Sequence, residues 1–318
     1  RIMTFHVAYA CDENYIEQTM VSMASLMEHN QTHKIVIYLI ESKIGRESLQ
    51  KICHLVEQYK QSSICIALDD LLKGIDLTLD ERHPKTIYAK LFLDQVCEAD
   101  RILYLDSDTV ITSSLEELWK MDFQDAYIAG VAMPYTTDIK RKLGLTSEMD
   151  YFCDGIVLIN LKVWRNKQVA EQCREYIMRQ KGNPYMLSEG VINTVAGEYR
   201  ITLPPKYNLM STFLLWNAKQ IKELFDVSHF YTQEQIEQAR KNPVIIHYLN
   251  ELYIRPWYRN SDHPYRDEYM KWREKIGWDM PMESGSRSVR TKGVIVLNKV
   301  LPFSWFCRIY RLVQKRSR

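Results

Sequence analysis

The chain lacks the long apolar runs and the cysteine patterns that mark several large classes of protein. None of its apolar stretches approaches the ~20 residues that a membrane-spanning helix requires, and no segment resembles a signal peptide. Its seven cysteines are odd in number and are not spaced as metal-binding pairs. We therefore expect reduced thiols, a cytoplasmic location and an ordinary globular chain, whose 318 residues can bury a sizeable core.

Acidic residues are absent from the end of the chain. Nine of the 42 Lys and Arg residues lie in residues 284–318, together with none of the 40 Asp and Glu residues. The preceding 283 residues keep 33 basic and 40 acidic side chains. The formal net charge of +2 therefore conceals a basic tail on an acidic body.

The basic tail has the periodicity of an amphipathic helix. Its apolar positions at helical spacing are Phe306, Ile309, Tyr310 and Val313. Its basic positions on another face are Arg308, Arg311 and Lys315. With Trp305 beside them, this pattern predicts a helix on an anionic membrane surface, peripheral on the inner face of the plasma membrane and without a part in the chemistry. The alternatives are a helix packed on the acidic body and a disordered tail. No recognised module supports nucleic-acid binding.

The most informative segment is an apolar stretch that ends in two carboxylates. Residues 101–105 (Arg-Ile-Leu-Tyr-Leu) predict a buried strand, and Asp106 and Asp108 follow it with only Ser107 between them. Ligands of open α/β sheets gather at the carboxyl ends of strands. Paired carboxylates suit Mg²⁺ or Mn²⁺, which in turn bind nucleotide phosphates. The alternative is a solvated loop that caps the next helix.

Two further polar groups follow predicted strands. After the strand of residues 5–10, Asp12 and Asn14 either cap a helix or contact a nucleotide base, on which Tyr15 can stack. The apolar residues 244–246 end at His247. That histidine is either a hydrogen-bonded core residue or a metal ligand.

Strands and helices alternate along most of the chain. Apolar runs at residues 35–40, 64–68, 127–133 and 155–160 alternate with helical patterns such as 15–30 and 45–60. This alternation predicts an α/β fold with a mostly parallel, doubly wound central sheet and flanking helices. The polar segment 134–148 is a loop or short helix that could face an acceptor. The alternation ends after Trp257, so we expect a catalytic domain of residues 1–258 and an aromatic and basic extension of residues 259–318.

Five motifs occur in the order found in one enzyme family. They are residues 10–15 (Ala-Cys-Asp-Glu-Asn-Tyr), 86–91 (Thr-Ile-Tyr-Ala-Lys-Leu), 103–108 (Leu-Tyr-Leu-Asp-Ser-Asp), 151–164 (which begin Tyr-Phe-Cys-Asp-Gly), and 247–248 (His-Tyr) with 255–257 (Arg-Pro-Trp). Together they resemble the retaining family 8 glycosyltransferases, which include glycogenin and the bacterial lipooligosaccharide galactosyltransferases. The resemblance covers about residues 2–258 and implies the GT-A type of nucleotide-sugar transferase fold.

The resemblance implies a metal site and a nucleotide site. Asp106, Asp108 and His247 match the positions that hold Mn²⁺, or Mg²⁺, against the diphosphate of a UDP-sugar. The positions implied in donor binding are Ala10, Asp12, Asn14, Tyr15, Lys90, Ser107, Gly155 and Arg255. Three of them match the uridine contacts, namely Asp12, Asn14 and Tyr15. Lys90 matches a basic residue, usually Arg or Lys, that helps organise the acidic pair and the diphosphate. Arg255 lies near a lysine that neutralises the diphosphate.

The sequence departs from the family pattern at three places, of which the first two leave the transferred sugar open and the third leaves the shape of the phosphate lid open. Cys153 and Asp154 stand where many members carry an asparagine followed by a small residue, so that a thiol and a carboxylate replace an amide. Ser188 and Glu189 stand where the galactosyltransferases carry Asp-Gln. Residues 249–254 replace a Gly-rich loop, and this weakens the match at Arg255.

The implied reaction is transfer of a hexose from a UDP-sugar to an acceptor hydroxyl of a glycan or glycolipid, with retention at the anomeric carbon. Glu189 and Asp154 are the candidate catalytic carboxylates, and either acts as a nucleophile or holds sugar hydroxyls. Alternatively, the departing phosphate activates the attacking hydroxyl. The changes at Cys153 and Ser188 keep open a non-catalytic nucleotide-sugar-binding homologue, and a UDP-sugar hydrolase is the other alternative.

Overall fold

The structure is a computed structural model and describes residues 2–79, 83–249 and 252–316, with side chains to Leu312. Asn250, Glu251 and the side chains of Val313 and Lys315 lie outside the described residues. The strands are β1 Thr4–Asp12, β2 Lys34–Ser42, β3 Ser62–Ala67, β4 Ile102–Leu105, β5 Thr109–Ile111, β6 Ile128–Met133, β7 Tyr151–Ile159, β8 Arg200–Thr202 and β9 Ile245–His247.

The α-helices surround these strands and also form the end of the chain. They are α1 Ile16–His29, α2 Arg46–Gln58, α3 Leu68–Leu71, α4 Glu116–Trp119, α5 Thr137–Lys142, α6 Leu161–Asn166, α7 Val169–Arg179, α8 Leu187–Ala196, α9 Ser211–Leu215, α10 Ala218–Phe225, α11 Gln233–Lys241, α12 Arg266–Lys275, α13 Val289–Val300 and α14 Phe303–Arg316. Short 3₁₀ helices span Glu13–Tyr15, Lys85–Gln95 and Pro205–Tyr207.

The central sheet has seven strands in the order β3-β2-β1-β4-β7-β6-β8. All of them run in one direction except β7, which pairs antiparallel with β4 and β6. Helical crossovers such as α1 and α2 return the chain to the same end of the sheet, which is how neighbouring strands become parallel. The predicted mostly parallel α/β sheet with flanking helices is confirmed.

Both faces of the inner strands of the sheet are buried, whereas the edge strands β3 and β8 are partly exposed. Along β1, Phe5 and Val7 point into one apolar layer and Ala8 into the other, because successive side chains of a strand alternate. Helix α1 covers the first layer with Met23 and Met27, which are fully buried. The other layer contains residues of the 3₁₀ helix Lys85–Gln95 and of α6 to α8. Side chains can therefore reach solvent chiefly at the strand ends.

A small second sheet brings distant parts of the chain together at the carboxyl end of β4. Strand β5 begins directly after the Asp-Ser-Asp segment and pairs antiparallel with β9. Thr109 is paired with His247 in this ladder. The pairing therefore places the predicted histidine ligand beside the predicted carboxylates, which are far away in sequence.

The chain after residue 258 packs on the body. Tyr269, Trp272 and Val294 belong to the same apolar core as Phe5. The hydroxyl of Tyr269 donates a 2.8 Å hydrogen bond to Glu17 in α1, to which the guanidinium of Arg273 also donates at 2.9 Å. Apolar packing and a buried ion pair thus fix α12 on α1.

The apolar face predicted to lie on a membrane is used for this packing instead. Phe306 is 1% exposed, and its ring centroid lies 6.5 Å from that of Trp216. The ring of Tyr310 lies 6.1 Å from that of Phe225. These two side chains bury apolar area against α10 and the residues before it, so they are not available to lipid. Among the described helices, none is both long and apolar enough to cross a bilayer.

Candidate active site

Three potential metal ligands converge at the carboxyl end of β4. One ligand atom each of Asp106, Asp108 and His247 lies within 4.8 Å of the others. His247 Nε2 is 3.2 Å from Asp108 Oδ1 and 3.8 Å from Asp106 Oδ2. The His247 side chain is fully buried, whereas that of Asp106 is 33% exposed. The cluster is therefore held on the protein side and open on the other side.

The orientation of the imidazole is set by its second nitrogen. His247 Nδ1 lies 3.0 Å from Asn208 Oδ1, a carbonyl oxygen that can only accept, and 4.0 Å from Cys153 Sγ. A proton on Nδ1 satisfies this amide and leaves the lone pair of Nε2 directed at the carboxylates. Asn208 therefore selects the tautomer that a metal ligand requires.

Gly155 allows the carboxylate and the imidazole to approach the strand β7. A Cβ atom at this position would lie 2.4 Å from Asp106 Oδ2 and 2.5 Å from His247 Cε1, which no real structure tolerates. The carbonyl of Gly155 accepts a 2.7 Å hydrogen bond from the backbone N–H of Asp106. Any side chain here would displace one of the ligands, so the glycine is required by the site.

Burial and the neighbouring charges shift the pKa values of Asp106, Asp108 and His247. Burial opposes a charged imidazole, but the carboxylate of Asp108 outweighs it and raises the pKa of His247 well above the usual value. Burial raises the pKa of Asp106, although Lys90 opposes this effect. For Asp108 burial is outweighed by His247, so its pKa is lowered. Asp108 and His247 therefore shift each other's pKa in the direction that favours an ion pair.

Lys90 lies between the carboxylate of Asp154 and the three potential metal ligands Asp106, Asp108 and His247, which we call the metal cluster. Its ammonium group is 1% exposed and lies 3.0 Å from Asp154 Oδ2 and 3.9 Å from Asp106 Oδ1. It also donates a 2.9 Å hydrogen bond to the carbonyl of Asp154. Ser188 donates to the same Asp154 oxygen at 2.7 Å. Asp154 is thus an ion-paired carboxylate with a fixed position.

Glu189 lies next to Asp154 but has a different environment. Its Oε1 accepts a 2.7 Å hydrogen bond from the Tyr151 hydroxyl, and its Oε2 lies 3.4 Å from the backbone N–H of Asp154. Burial, and then the charge of Asp154, raise the pKa of Glu189 to about 8. The two candidate carboxylates therefore differ, because Asp154 has a cationic partner and Glu189 retains its proton at neutral pH.

Arg255 connects the cluster to the end of β1. Its Nη2 lies 3.8 Å from Asp108 Oδ2, and its Nη1 donates a 3.1 Å hydrogen bond to the Tyr15 hydroxyl. The side chain is 18% exposed. The sequence match at Arg255 thus brings a guanidinium to the metal cluster, even though the preceding segment differs from that of the relatives.

The remaining predicted donor-site residues lie at the same edge of the sheet. In the parallel register of β1 and β4, Ala8 is paired with Tyr104, and Ala10 lies two residues further along β1. Asp12 caps the 3₁₀ helix by accepting a 2.9 Å hydrogen bond from the backbone of Asn14, an exposed residue. Ser107 is buried and accepts a 2.8 Å hydrogen bond from Thr19. The Ser107 hydroxyl thus has a local partner, and the donor-binding roles of all four residues remain proposals.

Comparison with known proteins identifies the family of this site. The model of glycosyl transferase family 8 matches residues 6–261, which include every residue of the metal cluster. The chain belongs to glycosyl transferase family 8. Members of this family generally use a divalent metal and a nucleotide sugar. The resemblance carried by the five motifs is confirmed.

Relatives of this family 8 chain include bacterial enzymes of lipopolysaccharide synthesis. A lipopolysaccharide 1,2-glucosyltransferase of Escherichia coli is 28% identical over 80% of this chain and 74% of the relative. General stress protein A of Bacillus subtilis is 20% identical over 86% of this chain and 94% of the relative. A crystal structure of the galactosyltransferase LgtC with donor and acceptor sugar analogues has a TM-score of 0.70 at 19% identity, and covers 91% of this chain and 99% of LgtC. The fold is therefore the GT-A type, as predicted.

The residues of this family 8 site fit a divalent cation. His247 Nε2 is buried, and within the described residues it makes no hydrogen bond, although Asp108 Oδ1 lies 3.2 Å away. An unsatisfied buried nitrogen beside two carboxylates is an arrangement that a bound cation would complete. Asp106, Asp108 and His247 would hold it.

Several residues that support the site were given no role in it from the sequence, although Tyr151 lies within the motif of residues 151–164. Asn193 donates to the carbonyl of Phe152 and accepts from its N–H, both at 2.8 Å, and so fixes the strand that carries Cys153 and Asp154. Asn208 and Tyr151 act on His247 and Glu189. The only available signal was the presence of polar side chains within otherwise apolar stretches, such as Asn193 between Ile192 and Val195.

Proposed function

We propose that this family 8 enzyme transfers a hexose from a UDP-sugar to a hydroxyl of a glycan or glycolipid, with retention at the anomeric carbon. The observation that carries the proposal is the convergence of Asp106, Asp108 and His247 at an open edge of the sheet, with Arg255 beside them. A metal ion at this cluster and the guanidinium of Arg255 together would neutralise the phosphates of a nucleoside diphosphate. The 28% identical lipopolysaccharide glucosyltransferase supports a glycan acceptor.

The donor would bind across the carboxyl ends of β1 and β4. Tyr15 offers an aromatic face to uracil, and Asp12 and Asn14 offer a carboxylate and an amide to the base and ribose. The hydrogen bond from Arg255 orients the Tyr15 ring with respect to Asp108. The guanidinium of Arg255 therefore links the position proposed for the nucleoside, at Tyr15, to the position proposed for the diphosphate, at Asp108.

Breaking the glycosyl–phosphate bond leaves negative charge on the UDP. A divalent ion held by the three ligands, Mn²⁺ or Mg²⁺, would neutralise this charge as a Lewis acid. Arg255 is partly exposed and adds a second positive charge on the donor side. Lys90, in contrast, is buried between Asp106 and Asp154, so it positions the carboxylates and does not contact the leaving group.

The carboxylates have separate roles in the transfer. Asp154, whose negative charge is stabilised by Lys90, faces the positive charge that develops on the sugar ring. Glu189 retains its proton and holds Asp154 and a sugar hydroxyl by hydrogen bonds. Lys90 and Ser188 bind Asp154, and Tyr151 binds Glu189, so the departing diphosphate accepts the proton of the attacking hydroxyl. Attack on the face that the phosphate leaves gives retention.

A screen of donors and acceptors tests this function. The purified enzyme with Mn²⁺ is incubated with UDP-glucose, UDP-galactose or UDP-N-acetylglucosamine and a panel of oligosaccharides, and products are identified by mass spectrometry. We expect an acceptor-dependent mass increase with one of these donors. Tight UDP binding without any transfer would indicate a non-catalytic homologue, and UDP release without an acceptor would indicate a hydrolase.

The membrane partner is supported by a different surface from the one predicted. Val289, Val296 and Val300 lie on one face of α13 and are 87%, 55% and 67% exposed, and Trp305 and Leu312 lie on one face of α14 and are 62% and 64% exposed. Exposed cations lie beside them at Lys292, Lys299 and Arg308. Apolar stripes flanked by cations suit the surface of an anionic membrane, where a lipid-linked acceptor would be available.

A further inference from the structure

A large cavity lies between the body of the enzyme and the chain that follows residue 282. Its volume is about 660 Å³. Pro134, Trp216 and Arg255 line it from the body, and Arg287 and Arg290 line it from the extension. A cavity of this size is in the range of sites that hold small organic ligands.

The cavity adjoins the candidate active site at two points. Arg255 lines it and lies 3.8 Å from Asp108 of the metal cluster. Tyr135 also lines it, and its ring packs edge-on against Tyr151 at 4.7 Å. Tyr151 in turn binds Glu189. A molecule in the cavity would therefore lie beside both the diphosphate position and the carboxylates.

The lining combines aromatic rings with positive charge. The aromatic residues are Tyr135, Trp216, Phe225, Tyr253, Tyr258 and Tyr310. Of the described residues, three arginines line the cavity against a single carboxylate, that of Glu283. Aromatic faces are suited to the apolar faces of sugar rings, and guanidinium groups bind phosphate or carboxylate by paired hydrogen bonds.

The three arginines differ in how far their charge is already compensated. Arg255 lies near Asp108. Arg287 is paired with Asp262 and donates a 2.8 Å hydrogen bond to the carbonyl of Leu252. Arg290 is exposed, and it has no ion pair within the described part of the chain. Arg290 is therefore the cation most available to an anionic ligand.

The wall formed by the extension is fixed in place. Asn260 and Gly285 exchange two hydrogen bonds, of 3.0 and 2.8 Å, through the amide side chain and the glycine backbone. A Cβ at Gly285 would lie 2.6 Å from Ile254 Cγ2 and 2.8 Å from the ring of Tyr258. The close approach at Gly285 thus holds the segment that carries Arg287 and Arg290 against the body.

We propose that this cavity is the acceptor site and that Arg290, supported by Arg287, binds an anionic substituent of an acidic saccharide acceptor. The proposal rests on the transferase function argued above and adds to it the chemical class of the acceptor. It also gives the extension a part in substrate recognition, whereas the sequence predicted only membrane attachment. The anionic group is a phosphate or a carboxylate, since both match the geometry of a guanidinium.

Three matched sugars test the proposal by binding alone. Cellobiose, cellobiose 6′-phosphate and cellobiouronic acid differ only at one carbon, and their affinities for the full-length enzyme with UDP and Mn²⁺ are measured by saturation-transfer NMR. We expect at least one acidic sugar to bind ten times more tightly than cellobiose. Comparison of the two acidic sugars shows whether phosphate or carboxylate is preferred.

Substitutions on α13 provide the control. Arg290→Gln should remove the preference for the acidic sugar, and Arg290→Glu should reverse it. Lys292→Gln removes an exposed cation of the same helix that does not line the cavity, and it should leave the preference unchanged.

Equal binding of the three sugars, no binding of any, or equal effects of the Arg290 and Lys292 variants would overturn the proposal. UDP affinity is measured in the same samples. If the unmodified enzyme binds UDP but shows no preference for acidic sugars, the acceptor proposal alone is refuted. If the unmodified enzyme does not bind UDP, the transferase function is refuted.

Discussion

The buried ammonium group of Lys90 contacts Asp154 twice. It lies 3.0 Å from the Asp154 carboxylate and donates a 2.9 Å hydrogen bond to the backbone carbonyl of Asp154. Burial alone would lower the pKa of Lys90, but the charges of Asp154 and Asp106 raise it, so the lysine stays charged. A buried cation between two carboxylates compensates charges that would otherwise be costly in the interior. The candidate carboxylates thus depend on a residue that does not face the donor.

Lys90→Met should therefore destabilise the protein by about 3–5 kcal/mol, because it leaves a buried carboxylate without its partner. The free energy of unfolding is measured by chemical denaturation. Lys120→Met is the control, since Lys120 forms an exposed pair with Glu116 and should contribute about 1 kcal/mol or less. Adding Asp154→Asn to Lys90→Met should recover part of the loss. A loss no larger than that of the control would show that the pair is not structural.

The candidate metal site predicts that UDP binding depends on Mn²⁺. Asp108→Asn should retain the fold but abolish Mn²⁺-dependent UDP binding, because it removes one charge from the cluster of three ligands. The affinity is measured by isothermal titration calorimetry with and without Mn²⁺. Asp125→Asn, at an exposed position, should bind UDP as the unmodified protein does. Unchanged UDP affinity in Asp108→Asn would remove the metal site from the account.

The close approach at Gly155 predicts a steric effect of a single methyl group. Gly155→Ala should lower Mn²⁺ and UDP affinity at least tenfold, because the added Cβ must displace Asp106 or His247. Gly293→Ala is the control, since a Cβ there meets no atom within 4 Å and alanine favours the helix by about 1 kcal/mol. Equal affinities of the two variants would mean that the ligands can move aside without cost.

The proton on Glu189 predicts a dependence of stability on pH. Burial and the charge of Asp154 raise the pKa of Glu189 to about 8, from 4.5 in the unfolded chain. Between these values the unfolded state ionises while the folded state does not, so this residue lowers the stability as the pH rises. Glu189→Gln should therefore gain stability relative to the unmodified protein from pH 5 to pH 8, by at most about 1.4 kcal/mol per pH unit.

Chemical denaturation of both proteins at pH 5 and pH 8 measures this effect. Glu198→Gln, at an exposed position, is the control and should show no such trend. A difference between Glu189→Gln and the unmodified protein that does not change with pH would show that Glu189 is ionised throughout.

The exposed stripes predict binding to anionic vesicles. Trp305→Ser combined with Leu312→Ser should weaken co-sedimentation with phosphatidylserine vesicles at least tenfold, because each side chain loses burial of about 1.5–3 kcal/mol in the interface. Higher salt should weaken the unmodified protein too. Met178→Ser, which removes an exposed apolar residue elsewhere, should bind normally. Vesicle binding that is independent of Trp305 and Leu312 would contradict this surface.

The local patterns of the sequence predicted the fold well, and they predicted that Asp106, Asp108 and His247 follow strands. An apolar run before Asp106 and Asp108, and another before His247, identified strands whose ends carry polar groups. What the sequence could not show was the pairing of Thr109 with His247, because a ladder between such distant residues depends on the whole fold. The motif match supplied that information indirectly.

The packing of the C-terminal helix and the pKa of Glu189 were harder to predict than the positions of Asp106, Asp108 and His247 after strands. The apolar spacing of Phe306 and Tyr310 correctly indicated a helix, but spacing does not show whether lipid or protein covers the face, and Trp216 covers it here. The raised pKa of Glu189 depends on its burial next to Asp154. A short motif does not show which distant residue will cover a helix face, as Trp216 does here. It also does not show how deeply a carboxyl group such as that of Glu189 will be buried.

The anomeric configuration of the product tests the central claim most directly. The enzyme is incubated with Mn²⁺, the productive UDP-sugar and its acceptor, and the coupling constant of the new anomeric proton is followed by ¹H NMR from the first turnovers. We predict an acceptor-dependent glycoside with the same α configuration as the donor, and no such product from Asp108→Asn. A β-linked product, or free sugar formed at the same rate without acceptor, would contradict the assignment as a retaining transferase.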